Sequence, residues 1–261
     1  MFQFPTYRRR GSARAEIRVM RVRRYTLPRM LPFAVSHGRF QRASDQSLLI
    51  YFADQITLHA HERVRQLLRL LEAEPIQGIR NLHPAYCSVL VKFDPLRRRH
   101  EELEEILQQY LARLDGVTLP EPRHVEIPVC YGGEHGPDLN DISTAHGMTP
   151  AQVIELHSST TYLVYFLGFV PGFAYLGELP KALVTSRLPT PRRSVPPGSV
   201  GIAGNQTGVY PVATPGGWRL LGRTPFSMFR PKQNRLSLLS IGDRVRFSPI
   251  SPEQFAALER A

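Results

Sequence analysis

The side chains best able to do chemistry are concentrated between Arg187 and Arg223. This segment carries Arg187, Arg192, Arg193, Gln206, Tyr210, Trp218, Arg219 and Arg223, interleaved with glycines. A guanidinium presents a planar fork of donors that suits a carboxylate or phosphate. Glycines let the backbone come close to a ligand. Such a loop set on the rim of a β-barrel would make an anion-binding site. A run of tight β-turns with solvated arginines is the plainer reading, and the residue types alone leave both open.

Other reactive patterns are missing or weak. The three lysines, Lys92, Lys181 and Lys232, follow Val91, Pro180 and Pro231, so there is no Gly-Lys pair for a Walker A loop. None stands in a Met-Lys-Met biotin-attachment sequence, and none has the serine neighbours of a Ser-Ser-Lys amidase. Gly198-Ser199-Val200-Gly201 is not a nucleophile elbow, because the serine is one position out of place. His59 and His61 would point about 200° apart on a helix. They read as an exposed first helical turn rather than a metal pair, and no metal site is expected on this chain. Gly132-Gly133 and Gly136-Pro137-Asp138 most simply turn the chain into a helix.

The elements that must position these residues fall into two textures. In the first half, 48–53 reads as a strand and 59–74 as a helix, with Val64, Leu67, Leu68 and Leu71 on one face. Strands follow at 78–82 and 87–94, then an amphipathic helix at 99–114 and an alternating strand at 124–130. This β-α-β-β-α-β order is a ferredoxin-like pattern, whose last strand could belong to the next domain. In the second half, short helices are expected near 139–146 and 150–157, the latter with Thr149 as cap and Pro150 at its first position. Beyond Tyr162 the chain is rich in Gly, Pro, Thr, Val and aromatics, with recurrent turn signals. Closely spaced short strands predict a barrel or sandwich. Residues 158–177 carry no charge, but Pro171 and the glycines would break a membrane helix. They read as a buried strand, a turn at Pro171-Gly172 and more buried chain.

Charge is unevenly distributed. Residues 1–42 hold eleven Arg and one Glu, a net +10 out of the chain's +11. The remainder is nearly neutral, which argues against a nucleic-acid-binding body. Residues 1–42 are therefore expected to be a basic extension, disordered or upstream of the true start. The expected domains are 43–120 (α/β) and 121–261 (β-barrel). Two cysteines suit a reducing cytoplasm, and no secretory or membrane segment is expected.

Three runs resemble the family of 5-oxoprolinase B subunits, also called KipI-like or allophanate hydrolase subunit 1. They are PVCYGGEHGPDL (128–139), ELHSSTTYLVYFLGFVPGFAYLGELP (155–180) and VPPGSVGIAGNQTGVYPVATPGGWRLLGRTP (195–225). GIRNLHPAYCSVLVKFDP (78–95) and IGDRVRFSPI (241–250) are similar too. The resemblance implies an α+β protein, with a small ferredoxin-like domain followed by a cyclophilin-like β-barrel. It implies a subunit of an ATP-dependent enzyme that opens 5-oxo-L-proline to L-glutamate together with C and A subunits. ATP with magnesium would bind the assembled complex, and no biotin would be attached to this chain. The resemblance also carries two alternatives: an inhibitor of a sensor histidine kinase, and half of a urea- or allophanate-type carboxyltransferase.

Under that resemblance the site must hold a substrate carboxylate, phosphates and an oxyanion. Arg192, Arg193 and Arg223 are the expected anion holders, beside Gly216, Gly217 and Trp218. Gln206 and Tyr210 would polarise or position the amide. His157 is the expected proton-transfer residue.

Overall fold

The computed structural model describes residues 38–233 and 235–260. The basic extension expected over residues 1–42 therefore lies mostly outside the described residues, but its end does not. Arg39–Ser44 forms β1, a strand paired antiparallel with β2 (Ser47–Tyr51). Residues 39–42 of this strand fall within the expected extension, whose charge Arg39 and Arg42 continue. The structure explains the arginines: β1 is an edge strand, and charge on an edge discourages further pairing. Arg39 lies over the Tyr51 ring, 4.4 Å from its centroid.

β2 pairs with β4 (Ser88–Phe93), which pairs with β3 (Ile79–Pro84), giving an antiparallel sheet in the order β1-β2-β4-β3. This is the ferredoxin-like order, except that β1 occupies the edge that the fourth predicted strand, 124–130, would have taken. The helix α1 (Leu58–Ala73) joins β2 to β3, and α2 (His100–Leu111) follows β4. Thr57 starts α1 by accepting a hydrogen bond from the Ala60 amide at 3.1 Å. Leu48, Ile50, Val89 and Val91 from the strands meet Val64, Leu67, Leu103 and Leu107 from the helices in one buried cluster.

The predicted strand at 124–130 is β5 (His124–Tyr131), and it belongs to the barrel. There it lies parallel to β13 (Arg244–Pro249) and antiparallel to β12 (Arg219–Arg223). The other barrel strands are β6 (Tyr162–Leu167), β7 (Ala174–Gly177), β9 (Ser199–Ala203) and β10 (Gln206–Val209). Seven strands close in the order β10-β7-β6-β13-β5-β12-β9. The barrel is filled by Ile127, Val129, Val164, Leu176, Val200, Ile202, Leu221 and Phe247. Closure removes the free edges that such short strands would otherwise expose. β8 (Arg192–Val195) and β11 (Thr214–Gly216) form a separate two-stranded ribbon.

Within the uncharged stretch 158–177, residues 162–177 are two barrel strands joined by a turn, with Gly172 at φ +86°. No helix among the described residues is long and apolar enough to cross a membrane. α3 (Leu139–Ala145) and α4 (Pro150–Ser159) follow the predicted segments, and Thr149 with Gln152 forms a capping box. The reading of the residues had no counterpart for α5 (Pro252–Glu259), a short capped helix that buries Phe255.

Candidate functional site

An aromatic cavity of about 290 Å³ opens where the turn after β6, the loop before β8 and the Gly216-Gly217 turn converge. Phe169, Phe173, Tyr175, Tyr210 and Trp218 line it with Arg187 and two prolines, Pro191 and Pro215. Two of the runs that carry the family resemblance, GFVPGFAYLG and TPGGW, supply most of this wall.

Phe173 is the hub. Its ring meets Tyr175, Tyr210 and Trp218 edge-on at centroid distances of 5.0, 5.4 and 5.5 Å. Edge-to-face contacts fix ring orientation, so the wall is built before any ligand arrives. Two glycines make room for it. A Cβ at Gly208 would sit 3.1 Å from Phe173 and 3.2 Å from Trp218, and one at Gly216 would sit 2.5 Å from the Tyr210 hydroxyl. At the mouth Phe169 is 61% exposed with φ 69°, a conformation that a bulky residue adopts only under constraint.

Burial raises the hydroxyl pKa values of Tyr175 and Tyr210, and the nearby Arg187 charge partly opposes the rise. Both hydroxyls are therefore neutral at physiological pH. Arg187 is the one cation on the cavity wall. The amide of its neighbour Leu188 donates to the Gly217 carbonyl at 2.7 Å, tying the Arg187 loop to the opposite turn.

The structure divides the expected site residues between different places. Tyr210, Gly216, Gly217 and Trp218 line the aromatic cavity. Arg192 and Arg223 instead line a second, wider cavity of about 650 Å³ beneath α5. Both guanidiniums are already engaged there. Arg192 pairs with Asp138 at 2.7 Å and donates to the Trp218 carbonyl at 3.3 Å. Asp138, almost wholly buried, also accepts from the Leu220 amide at 2.6 Å. Arg223 donates to the Pro197 carbonyl at 2.8 Å and lies 3.4 Å from Glu259. Arg193 is exposed and lines neither cavity, because alternation along β8 turns it away from Arg192. The expected trio of anion-holding arginines is thus not assembled.

His157 is corrected more sharply. Its ring is fully buried, with Nδ1 2.7 Å from the Tyr131 hydroxyl and Nε2 2.9 Å from Thr207 Oγ1. It stacks on Phe247 at 4.7 Å. Burial holds its pKa down to about 3. A proton-transfer group must reach a reacting atom, and this imidazole is a satisfied core side chain. Gln206 lies outside both cavities and donates to the Tyr86 hydroxyl, joining β10 to the loop between β3 and β4. His61, expected to be exposed, is buried against Tyr165 of β6 at 4.9 Å.

Arg187, Phe169, Phe173 and Tyr175 were not singled out from the sequence as site residues. Arg187 was visible as a cation in the Gly-rich segment, but only the fold shows that, among the described residues, it lines the aromatic cavity without an ion-pair partner.

Residues 38–239 match the family described as carboxyltransferase domain, subdomain C and D. The chain belongs to this family. It is 38% identical over 229 residues to the B subunit of 5-oxoprolinase from Bacillus subtilis, covering 84% of this chain and 95% of that protein. It is 43% identical over 220 residues to the protein of the same name from Escherichia coli O157:H7, covering 82% and 97%. The crystal structure of TTHA0988 superposes with a TM-score of 0.70 at 35% identity. That match covers 79% of this chain but 40% of the other, so this chain spans less than half of that protein. Family membership confirms the expectation drawn from the sequence runs, and the closed barrel agrees with the fold class they implied.

Proposed function

We propose that this chain is the B subunit of a 5-oxoprolinase. In this reading it works with C and A subunits to convert 5-oxo-L-proline to L-glutamate at the expense of ATP. The observation that carries the reading is identity of 38–43% along 95–97% of the length of two relatives bearing that name. The aromatic cavity supports it chemically, being small, preformed and cationic at one point.

A lactam carbonyl is a poor electrophile, and phosphorylating its oxygen creates a leaving group. The ATP with magnesium needed for that step does not fit this cavity. Its lining offers one cation and neither a carboxylate nor a lysine. We therefore place ATP elsewhere on the assembled complex. The lining also holds no serine or cysteine nucleophile. In this assignment the chain binds and orients substrate and keeps water off one face of it, while bond-making groups come from its partners. The cytoplasm is the proposed location, and the two cysteines, Cys87 and Cys130, are unpaired.

The family description keeps a second reading in view, half of a carboxyltransferase module. Disrupting the coding sequence in its host tests both this and the kinase-inhibitor alternative. Under the oxoprolinase reading, intracellular 5-oxo-L-proline rises several-fold and falls again when the chain is restored. An unchanged 5-oxoproline level contradicts the reading. Altered kinase phosphorylation or biotin-dependent carboxylation in its place favours an alternative.

A further inference from the structure

We propose that the aromatic cavity is the 5-oxo-L-proline site, with Arg187 holding the carboxylate and the Tyr175 and Trp218 side holding the flat lactam ring. This rests on the oxoprolinase reading and adds the substrate's place and orientation.

Three features of the cavity converge on a small, flat, singly charged anion. Its volume of about 290 Å³ lies at the small end of ligand pockets, which suits a single ring. Its walls are aromatic and proline surfaces, which favour a planar ring over an extended polar chain. Its one full charge is Arg187, since the tyrosine hydroxyls beside it stay neutral.

Among the described residues Arg187 differs from the engaged Arg192 and Arg223, and unlike the exposed Arg193 it lines the cavity. Arg192 is committed to Asp138 and the Trp218 carbonyl, and Arg223 to Pro197 and Glu259. Arg187 makes none of the ion pairs found among the described residues, so its fork is available at the cavity mouth. A carboxylate there would receive two parallel charge-assisted hydrogen bonds. The Leu188–Gly217 hydrogen bond fixes the loop that presents the guanidinium. Binding would then order few side chains, because the Phe173 hub already holds the rings.

The test uses a probe the chain already contains. Trp218 is the only tryptophan and it lines the cavity. Its fluorescence is followed while the full chain is titrated with 5-oxo-L-proline, with 2-pyrrolidinone (the ring without the carboxylate) and with acetate (the carboxylate without the ring). A saturable change is expected with 5-oxo-L-proline alone. Arg187→Gln should weaken it about ten- to a hundredfold, and Arg187→Lys less. In the assembled complex, Arg187→Gln should raise KM for 5-oxo-L-proline by a similar factor. Far-ultraviolet circular dichroism checks that the variants are folded. The site is overturned if Arg187→Gln leaves the titration or KM unchanged, or if acetate reproduces the titration. If the variant complex keeps wild-type turnover and KM, the site fails but the oxoprolinase assignment stands. If wild-type complex shows no turnover while the titration depends on Arg187, the reverse holds.

Discussion

Acidification from pH 7 to pH 5 is expected to cost the folded chain about 4 kcal/mol through two histidines. A histidine in an unfolded chain titrates near 6.5. Burial lowers His157 to about 3, while burial and then the Arg65 charge lower His61 to about 4. Both are thus neutral in the folded chain at pH 5, whereas in the unfolded chain both are protonated. The unfolded state binds more protons, so stability falls as pH drops below 6.5, by about 2 kcal/mol per histidine at pH 5. The loss levels off once the folded values are passed. Urea melts at the two pH values measure it.

The two histidines should respond differently to substitution. Neither ring nitrogen of His61 has a hydrogen-bond partner among the described residues. His61→Phe removes that orphaned polar group and keeps the edge contact with Tyr165, so it should not destabilise at pH 7. It should also remove about half of the acid sensitivity. His157→Phe strands the Tyr131 hydroxyl and removes the ring N–H that donates to Thr207 Oγ1, which itself keeps its bond to the Gly201 carbonyl, and should cost about 2–4 kcal/mol at pH 7. A flat stability profile between pH 7 and 5 in the unmodified chain would mean that these rings are not shielded as described.

Neighbouring glycines at the cavity provide the second large effect. An added Cβ at Gly216 would lie 2.5 Å from the Tyr210 hydroxyl and 2.9 Å from its ring. Tyr210 is only 2% exposed and is backed by Phe173, so it has little room to retreat. At Gly217 the nearest atom to an added Cβ is Pro191 Cγ at 3.6 Å, an ordinary contact. Gly216→Ala should therefore destabilise by about 1–3 kcal/mol through overpacking. Gly217→Ala should stay within about 0.5 kcal/mol. In the assembled enzyme Gly216→Ala should also raise KM, because the displaced phenol intrudes on the cavity. Thermal melts of the pair decide the point, and equal Tm values would show that Tyr210 does not pack on the turn as described.

The parts of the fold set by local rules were legible in the sequence. The leucine spacing of α1 and α2, the Thr149-Pro150 start of α4 and the Gly204-Asn205 hairpin between β9 and β10 all reflect interactions within a few residues. β1 was missed because arginines that shield an edge strand look like a continuation of the basic extension. The destination of β5 was ambiguous because its alternation says only that one face is buried, not against which sheet. α5 has too little amphipathic pattern in eight residues to stand out.

The site divided along the same line. The Gly216-Gly217-Trp218 turn was recognisable from its composition, and it lines the cavity. Which arginine is available could not be read, because that depends on distant partners. Asp138 neutralises Arg192 from 54 residues away. Glu259 approaches Arg223 from a helix beyond the recognised runs. His157 was misassigned for the same reason. A histidine between Leu156 and Ser158 looks reactive until β13 lays Phe247 across it and β10 brings Thr207 to its second nitrogen.

The central claim is that this chain is an obligatory component of an oxoprolinase whose bond-making groups lie on its partners. It is tested most directly by omitting one component at a time, with 5-oxo-L-proline-dependent release of L-glutamate and ADP measured together. This chain alone, and the C and A subunits without it, should each release neither product above background. All three together should release both in proportion. Turnover by the isolated chain, or undiminished turnover by C and A in its absence, would contradict the account.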